Sequence, residues 1–172
     1  MMIFFGGALL TQIFDVGNLG LHLSRLTPEE KAIRHAAFYR ILNDNSASVD
    51  ELALQLGLST DKVRRYIKDM VDKGILVVDE KWTIVGSHGL SLIPTDHQLS
   101  INGKNLFTWC AEDAIGIPAA LGVDAVVISK CYQCNDTIRI EMASGEVLHS
   151  SQQDVCIWVV EADLGRSIVG CT

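Results

Sequence analysis

The sequence predicts an α+β fold in two parts, and three observations carry that expectation. Residues 27–74 hold three runs with apolar side chains at helical spacing, each opening on a capping residue. From residue 75 onward the chain breaks into short strand-like runs separated by turn residues. One stretch of helical length, from about Thr108 to Leu121, interrupts those runs.

The first helix opens in "LTPEEKAIRHAAFYRILNDN", with Thr27 as N-cap, Pro28 at the first helical position and Glu29 and Glu30 in the first turn. Ile33, Ala37, Phe38, Ile41 and Leu42 then recur on one face. In "SVDELALQLGL", Ser48 and Glu51 stand at capping-box spacing and Gly57 ends the helix. In "STDKVRRYIKDMVDKG", Ser59 caps, Gly74 stops, and Val63, Ile67, Met70 and Val71 face inward. Two short strands follow in "ILVVDEKWTIVG", around the polar turn Asp79-Glu80-Lys81. Three helices followed by a hairpin form a winged-helix-like module. Its third helix carries Lys62, Arg64, Arg65 and Lys68, which suits a DNA-recognition helix and equally suits the solvated face of a structural module.

The second part reads as strands in "GLSLIP", "HQLSING", "DAVVISKC", "DTIRIEM", "EVLHSS" and "DVCIWVVE". Asn102-Gly103 and Ser144-Gly145 make tight turns between them. The expected architecture is therefore a small mixed or antiparallel sheet with one packed helix. The division falls near Val85 to Gly89, giving domains 1–85 and 86–172.

A length of 172 residues accommodates one large domain or two small ones, and a hydrophobic fraction of 48% is ordinary for a chain that buries a core. The net charge of −7 argues against a nucleic-acid partner, because phosphate contacts require a basic surface. The opening "MMIFFGGALLTQIF" lacks the basic residues of a secretory signal and is shorter than the roughly 20 residues that span a bilayer. It is expected to be a helix packed on the fold or on a partner, in a cytoplasmic protein without membrane contact.

The chain's five cysteines, an odd number, exclude complete internal disulfide pairing. In a reducing compartment they read as buried, catalytic or metal-binding. Cys110 stands at the head of the Thr108–Leu121 helix, where backbone N–H groups and the helix dipole favour a thiolate. Asp113 shares its face one turn on, and Ile117 continues that face with an apolar wall. Glu112 points elsewhere. A small buried cysteine beside an ordinary first-turn carboxylate is the plainer reading of the same spacing. Cys131 and Cys134 form a C-x-x-C at a strand end, structural or metal-contacting. They lack the second close pair of a zinc site and the following helix of a redox motif. Cys156 sits in the apolar "VCIWVV" and is expected in the core. Cys171, near the end, is either incidental or a second soft ligand. The histidines (His22, His35, His88, His97 and His149) have no zinc-motif spacing.

The stretch "WTIVGSHGLSLIPTDHQLSINGKNLFTWCAEDAIGIPAALG" resembles the organomercurial lyase (alkylmercury lyase) family. The matching positions are Ile84-Val85-Gly86, Gly89-Leu90, Pro94-Thr95 with His97, Trp109-Cys110, Asp113, Pro118 and Leu121-Gly122, and looser likeness extends over roughly residues 35 to 172. The resemblance implies a winged-helix-like first part and protonolytic cleavage of a carbon–mercury bond, giving hydrocarbon and Hg(II). It implies Cys110, Asp113 and Cys171 as the catalytic, mercury-binding set, and Cys131 as structural. Cys134 is an addition, and Glu112 replaces a more usual apolar residue. The family pattern continues past its late cysteine, whereas this sequence ends at Thr172, which implies less support around Cys171.

The chemistry suits these residues. Hg(II) is soft and prefers thiolate, and an acid with apolar walls holds a proton near neutral pH for the leaving carbon. The expected substrate is a small organomercurial. No cofactor is expected, only external thiols as co-reactants, and a mercury reductase is a candidate partner for the Hg(II) product. Two alternatives remain from the sequence: a non-catalytic lyase-like soft-metal-binding protein, and a winged-helix regulator responding to metal or thiol.

Overall fold

The computed structural model describes residues 2–4 and 25–158. Three helices open the main body: α1 (Pro28–Leu42), α2 (Val49–Leu56) and α3 (Thr60–Asp72). Each starts where a side-chain oxygen satisfies a free backbone N–H. Thr27 accepts from the Glu30 N–H while the Glu30 carboxylate accepts from the Thr27 N–H at 2.7 Å. Ser48 and Glu51 repeat the arrangement on α2, and Ser59 caps α3. Ile33, Ala37, Ile41, Leu52, Val63, Ile67 and Met70 meet in the interior, fully removed from solvent.

The strands that follow are β2 (Leu76–Val78), β3 (Ile84–Ser87), β4 (Leu90–Ser91), β5 (His97–Ile101) and β6 (Lys104–Thr108). After them come α4 (Ala111–Leu121), β7 (Ala125–Lys130), β8 (Thr137–Ala143) and β9 (Glu146–Ser150). Strands β2 to β9 form one antiparallel sheet in the order β2-β3-β4-β6-β5-β7-β8-β9. The sheet runs without a break across residues 85 and 86. Leu90, Leu99, Leu106, Ile117, Val127 and Ile140 belong to the same buried cluster as the three helices. A separate pair joins β1 (Met2–Phe4) to β10 (Cys156–Trp158), again antiparallel.

The α+β class, the helix caps, the hairpin after α3 and both Gly-containing turns agree with the sequence. Three expectations do not. Lys104–Thr108 is a strand of its own, and α4 starts only at Ala111. The Asn102-Gly103 turn folds that segment back on β5, and the registers with β5 and β4 hold it extended. Met2–Phe4 is a strand, not the opening of a helix, because it pairs with β10; residues 5–14 lie outside the described residues. Cys156 is exposed, not core. Its strand belongs to the two-stranded pair, so alternation there does not report on the main interior. No helix among the described residues is long and apolar enough to cross a membrane.

Candidate active site

Strand β6 delivers Cys110 to the first position before α4. Thr95 Oγ1 donates to the Thr108 carbonyl at 2.7 Å and the Trp109 N–H donates to the Gly89 carbonyl at 2.8 Å, which fixes the chain just ahead of the cysteine. Cys110 then has extended backbone and acts as the helix N-cap. Its sulfur accepts from the Asp113 N–H at 3.4 Å and donates to Asp113 Oδ2 at 3.2 Å. A cysteine thus fills a position usually held by Ser, Thr, Asp or Asn, and one turn of helix brings the carboxylate to the thiol.

The carboxylate lies directly over Gly89. A β-carbon there would stand 2.1 Å from Asp113 Oδ1, and φ is +80°. His88, at φ 51°, and Gly89 are both left-handed and form the two-residue turn between β3 and β4. Such a turn requires positive φ at both positions, and only glycine leaves room for Asp113 at the second.

Burial pushes the Asp113 carboxyl up to about 6. Glu112 adds to the rise, while the Cys110 hydrogen bond and Arg34 oppose it. Burial, followed by the Asp113 charge, pushes the Cys110 thiol up to about 12, against the backbone N–H groups of Asp113 and Glu112. The helix start was expected to make Cys110 a thiolate, and it acts in that direction but is outweighed. A rise from 9.0 to about 12 corresponds to about 4 kcal/mol, whereas a helix terminus contributes about 1–2 kcal/mol. At rest the pair is therefore a thiol donating its proton to an ionised carboxylate.

Helix α1 supplies a cation, Arg34, and the β3–β4 turn a neutral imidazole, His88, at the border of this pair. The Arg34 guanidinium feels Asp113, is lowered to about 10 by burial, and its Nε has no hydrogen-bond partner among the described residues. Burial, then Arg34 and His35, push His88 down to about 3, so its imidazole is neutral. Ser87 Oγ donates to the Arg34 carbonyl and lies 3.0 Å from His88 Nδ1. Together with Pro28, Lys31, Ala32 and His35, Arg34 and His88 line an open depression of about 430 Å³. Arg34, His88 and Gly89 had no assigned part in the site from the sequence. The His88-Gly89 pair between two strand-like runs is a readable turn signature, whereas nothing in the spacing of α1 singles out Arg34.

Cys131 and Cys134 lie apart from this pair, on the loop after β7. The Cys131 N–H donates to the Asp136 carbonyl and the Asn135 N–H to the Cys131 carbonyl, both at 2.8 Å. The Cys134 thiol donates to Asp136 Oδ2 at 3.2 Å. Hydrogen bonds from the Cys134 and Gln133 N–H groups, with the Cys134 side chain, draw the Cys131 thiol below its ordinary range. Among the described residues no group of three or more His, Cys, Asp or Glu is placed to hold a metal ion. Cys171 lies outside the described residues.

Residues 90–172, which contain Cys110 and Asp113, match the family model for alkylmercury lyase. The chain carries an alkylmercury lyase family domain. Residues 39–77 match a model for winged helix-turn-helix DNA-binding segments, in agreement with the helices and hairpin of the first part. An alkylmercury lyase from Bacillus cereus is 27% identical over 123 residues, covering 72% of this chain and 55% of that protein. One from Streptomyces lividans is 31% identical over 121 residues, covering 70% and 54%. One from Pseudomonas putida is 28% identical over 142 residues, covering 82% and 65%. The chain thus spans little more than half the length of the first two of these relatives. A solved structure, the mercury-bound form of MerB2, superposes with a TM-score of 0.74 at 27% identity, covering 78% of this chain and 66% of that one. That protein binds mercury on a fold shared with this domain.

Proposed function

We propose that this protein cleaves the carbon–mercury bond of a small organomercurial by protonolysis, with Cys110 as mercury ligand and Asp113 as proton donor. The observation that carries the reading is the hydrogen bond from Cys110 Sγ to Asp113 Oδ2 at 3.2 Å, in a pocket that holds one proton between the two groups. Arrival of the substrate moves that proton. Mercury takes the thiol sulfur, the sulfur gives its proton to the adjacent carboxylate, and the substrate's former ligand leaves as an anion. Asp113 is then a neutral acid beside the carbon–mercury bond. It delivers the proton to carbon as that bond breaks, the bonding electrons stay with carbon, and hydrocarbon departs. Asp113 returns to carboxylate, and Hg(II) remains on sulfur. A second thiolate, for which Cys171 is the candidate, completes the mercury coordination and weakens the bond to carbon. Cellular thiols then carry the Hg(II) away, in a cytoplasmic setting where a mercury reductase is a fitting recipient.

Incubation with phenylmercury and excess thiol tests this directly, with benzene followed by gas chromatography. Stoichiometric mercury retention without benzene would instead identify a soft-metal-binding protein.

A DNA-binding role rests on the match of residues 39–77. Two of the four cations on α3 are already engaged. Lys62 pairs with Glu29 at 3.0 Å, and Lys68 pairs with Asp72 at 2.7 Å. The lyase reading expects no salt-dependent shift of a DNA duplex.

A further inference from the structure

We propose that Cys131 and Cys134 form a second soft-metal site, a two-thiolate clamp for Hg(II) at the same end of the sheet as Cys110. The loop is preformed. The two backbone hydrogen bonds between Cys131 and the Asn135–Asp136 segment close it into a tight turn. Within it the Cys131 sulfur lies beside the Cys134 side chain and the Cys134 and Gln133 N–H groups, which draw its thiol below the ordinary range. Cys134 is exposed and Tyr132 is 99% exposed, which leaves the pair open to exchange with other thiols.

The ligand class follows from what is missing. Zinc requires four ligands in a tetrahedron, and among the described residues no group of three or more His, Cys, Asp or Glu is placed to hold a metal ion. Hg(II) is satisfied by two thiolates in a line. The Cys134 thiol donates to Asp136 Oδ2 at 3.2 Å and is exposed, so the proton it gives up on binding metal passes to solvent.

Sheet register supplies the link to the first site. Thr108 of β6 is brought opposite His97 of β5 by the Gln98↔Phe107 pairing, and His97 faces Ser129 of β7. Two strand spacings, about 10 Å, therefore separate Thr108 from Ser129. Strands β6 and β7 run in the same direction, and Cys110 and Cys131 each follow two residues later. Hg(II) leaving Cys110 meets the clamp as the nearest dithiol among the described residues. The transfer is a ligand exchange: each departing sulfur regains a proton that an incoming thiol gives up, and no oxidant or reductant is consumed.

The binding claim stands independently of catalysis; the receiving role rests on the proposed lyase activity. Tryptic cleavage after Lys130 and Arg139 yields a peptide, Cys131–Arg139, that holds both thiols and no other cysteine. In the full chain carrying Cys110→Ser, one equivalent of mercuric chloride should slow alkylation of both thiols together by at least about tenfold. One equivalent of Zn(II) should change the rate less than about twofold. Adding Cys134→Ser, an exposed position, should abolish the protection of Cys131. Unprotected thiols with Hg(II), or equal protection by Zn(II), would overturn the clamp. In the unmodified chain at limiting external thiol, one turnover of phenylmercury should leave this peptide protected. Benzene release with an unprotected peptide would overturn the receiving role. Absence of benzene would count against the lyase reading alone, because the mercuric chloride measurement still decides the clamp.

Discussion

Cys110 and Cys131 emerge from parallel-running strands at the same end of one sheet, yet the protein treats their thiols in opposite ways. Both are half-buried, but Cys110 packs against a carboxylate and is pushed up to about 12, whereas backbone N–H groups draw the Cys131 thiol below the ordinary range. On the proposed reading, a mercury ligand need not be a ready thiolate. A thiol that keeps its proton until the metal arrives can pass that proton to the group that will use it. A thiol drawn below its ordinary range gives up its proton more readily.

The largest effect that would break the contrast is loss of the buried thiol. Cys110→Ser should reduce hydrocarbon release below detection, because serine oxygen has little affinity for mercury. Release at more than a few per cent of the normal rate would place the primary ligand elsewhere.

Gly89→Ala should come next. The new methyl would fall within 2.1 Å of the Asp113 carboxylate, so the carboxylate must leave Cys110, and release should fall by about a hundredfold or more. Gly103→Ala is the control, since φ is +72° there too but nothing lies within 4 Å. It should cost about 1 kcal/mol of stability and leave release unchanged. Equal losses in both variants would reduce the Gly89 effect to backbone strain.

The thiol chemistry itself sharpens the comparison. Brief limiting alkylation at pH 8, mapped by mass, should label Cys131 at least about tenfold faster than Cys110. Labelling of Cys110 first would mean that the helix terminus does prevail and the resting proton is absent.

A smaller effect appears in stability. A carboxyl at about 6 in the folded chain and 3.8 when unfolded binds its proton more readily when folded. Stability therefore falls as pH rises from about 4 through about 6, then levels off with the buried charge costing about 3 kcal/mol at most. Asp113→Asn removes that cost. Urea unfolding should show the variant gaining on the parent between pH 4 and pH 7, and a constant difference across that range would contradict the buried charge.

The helical module was legible because its signals are local. Thr27, Ser48 and Ser59 cap where their spacing predicts, and the inward faces follow the apolar period. The pairing of Cys110 with Asp113 was legible for the same reason, since three residues on a helix fix their proximity. The sequence did not reveal features decided across the sheet. Strand β6 looks like the approach to a helix until β4 and β5 pair with it. Cys156 looks buried until its strand is seen to pair with β1. The charge state of Cys110 depends on burial, which spacing does not report, and the Arg34 charge acts on Asp113 from an element some eighty residues earlier.

The central claim is that Asp113 supplies the proton, and Asp113→Asn tests it with shape preserved. Mercury binding is followed by the ultraviolet absorption of the mercury–thiolate band, and hydrocarbon release by gas chromatography on the same samples. The variant should bind Hg(II) through Cys110 as the parent does and release hydrocarbon at least about a hundredfold more slowly. Hydrocarbon release at the parental rate would contradict the assignment and make Glu112, on the same helix turn, the next donor to test.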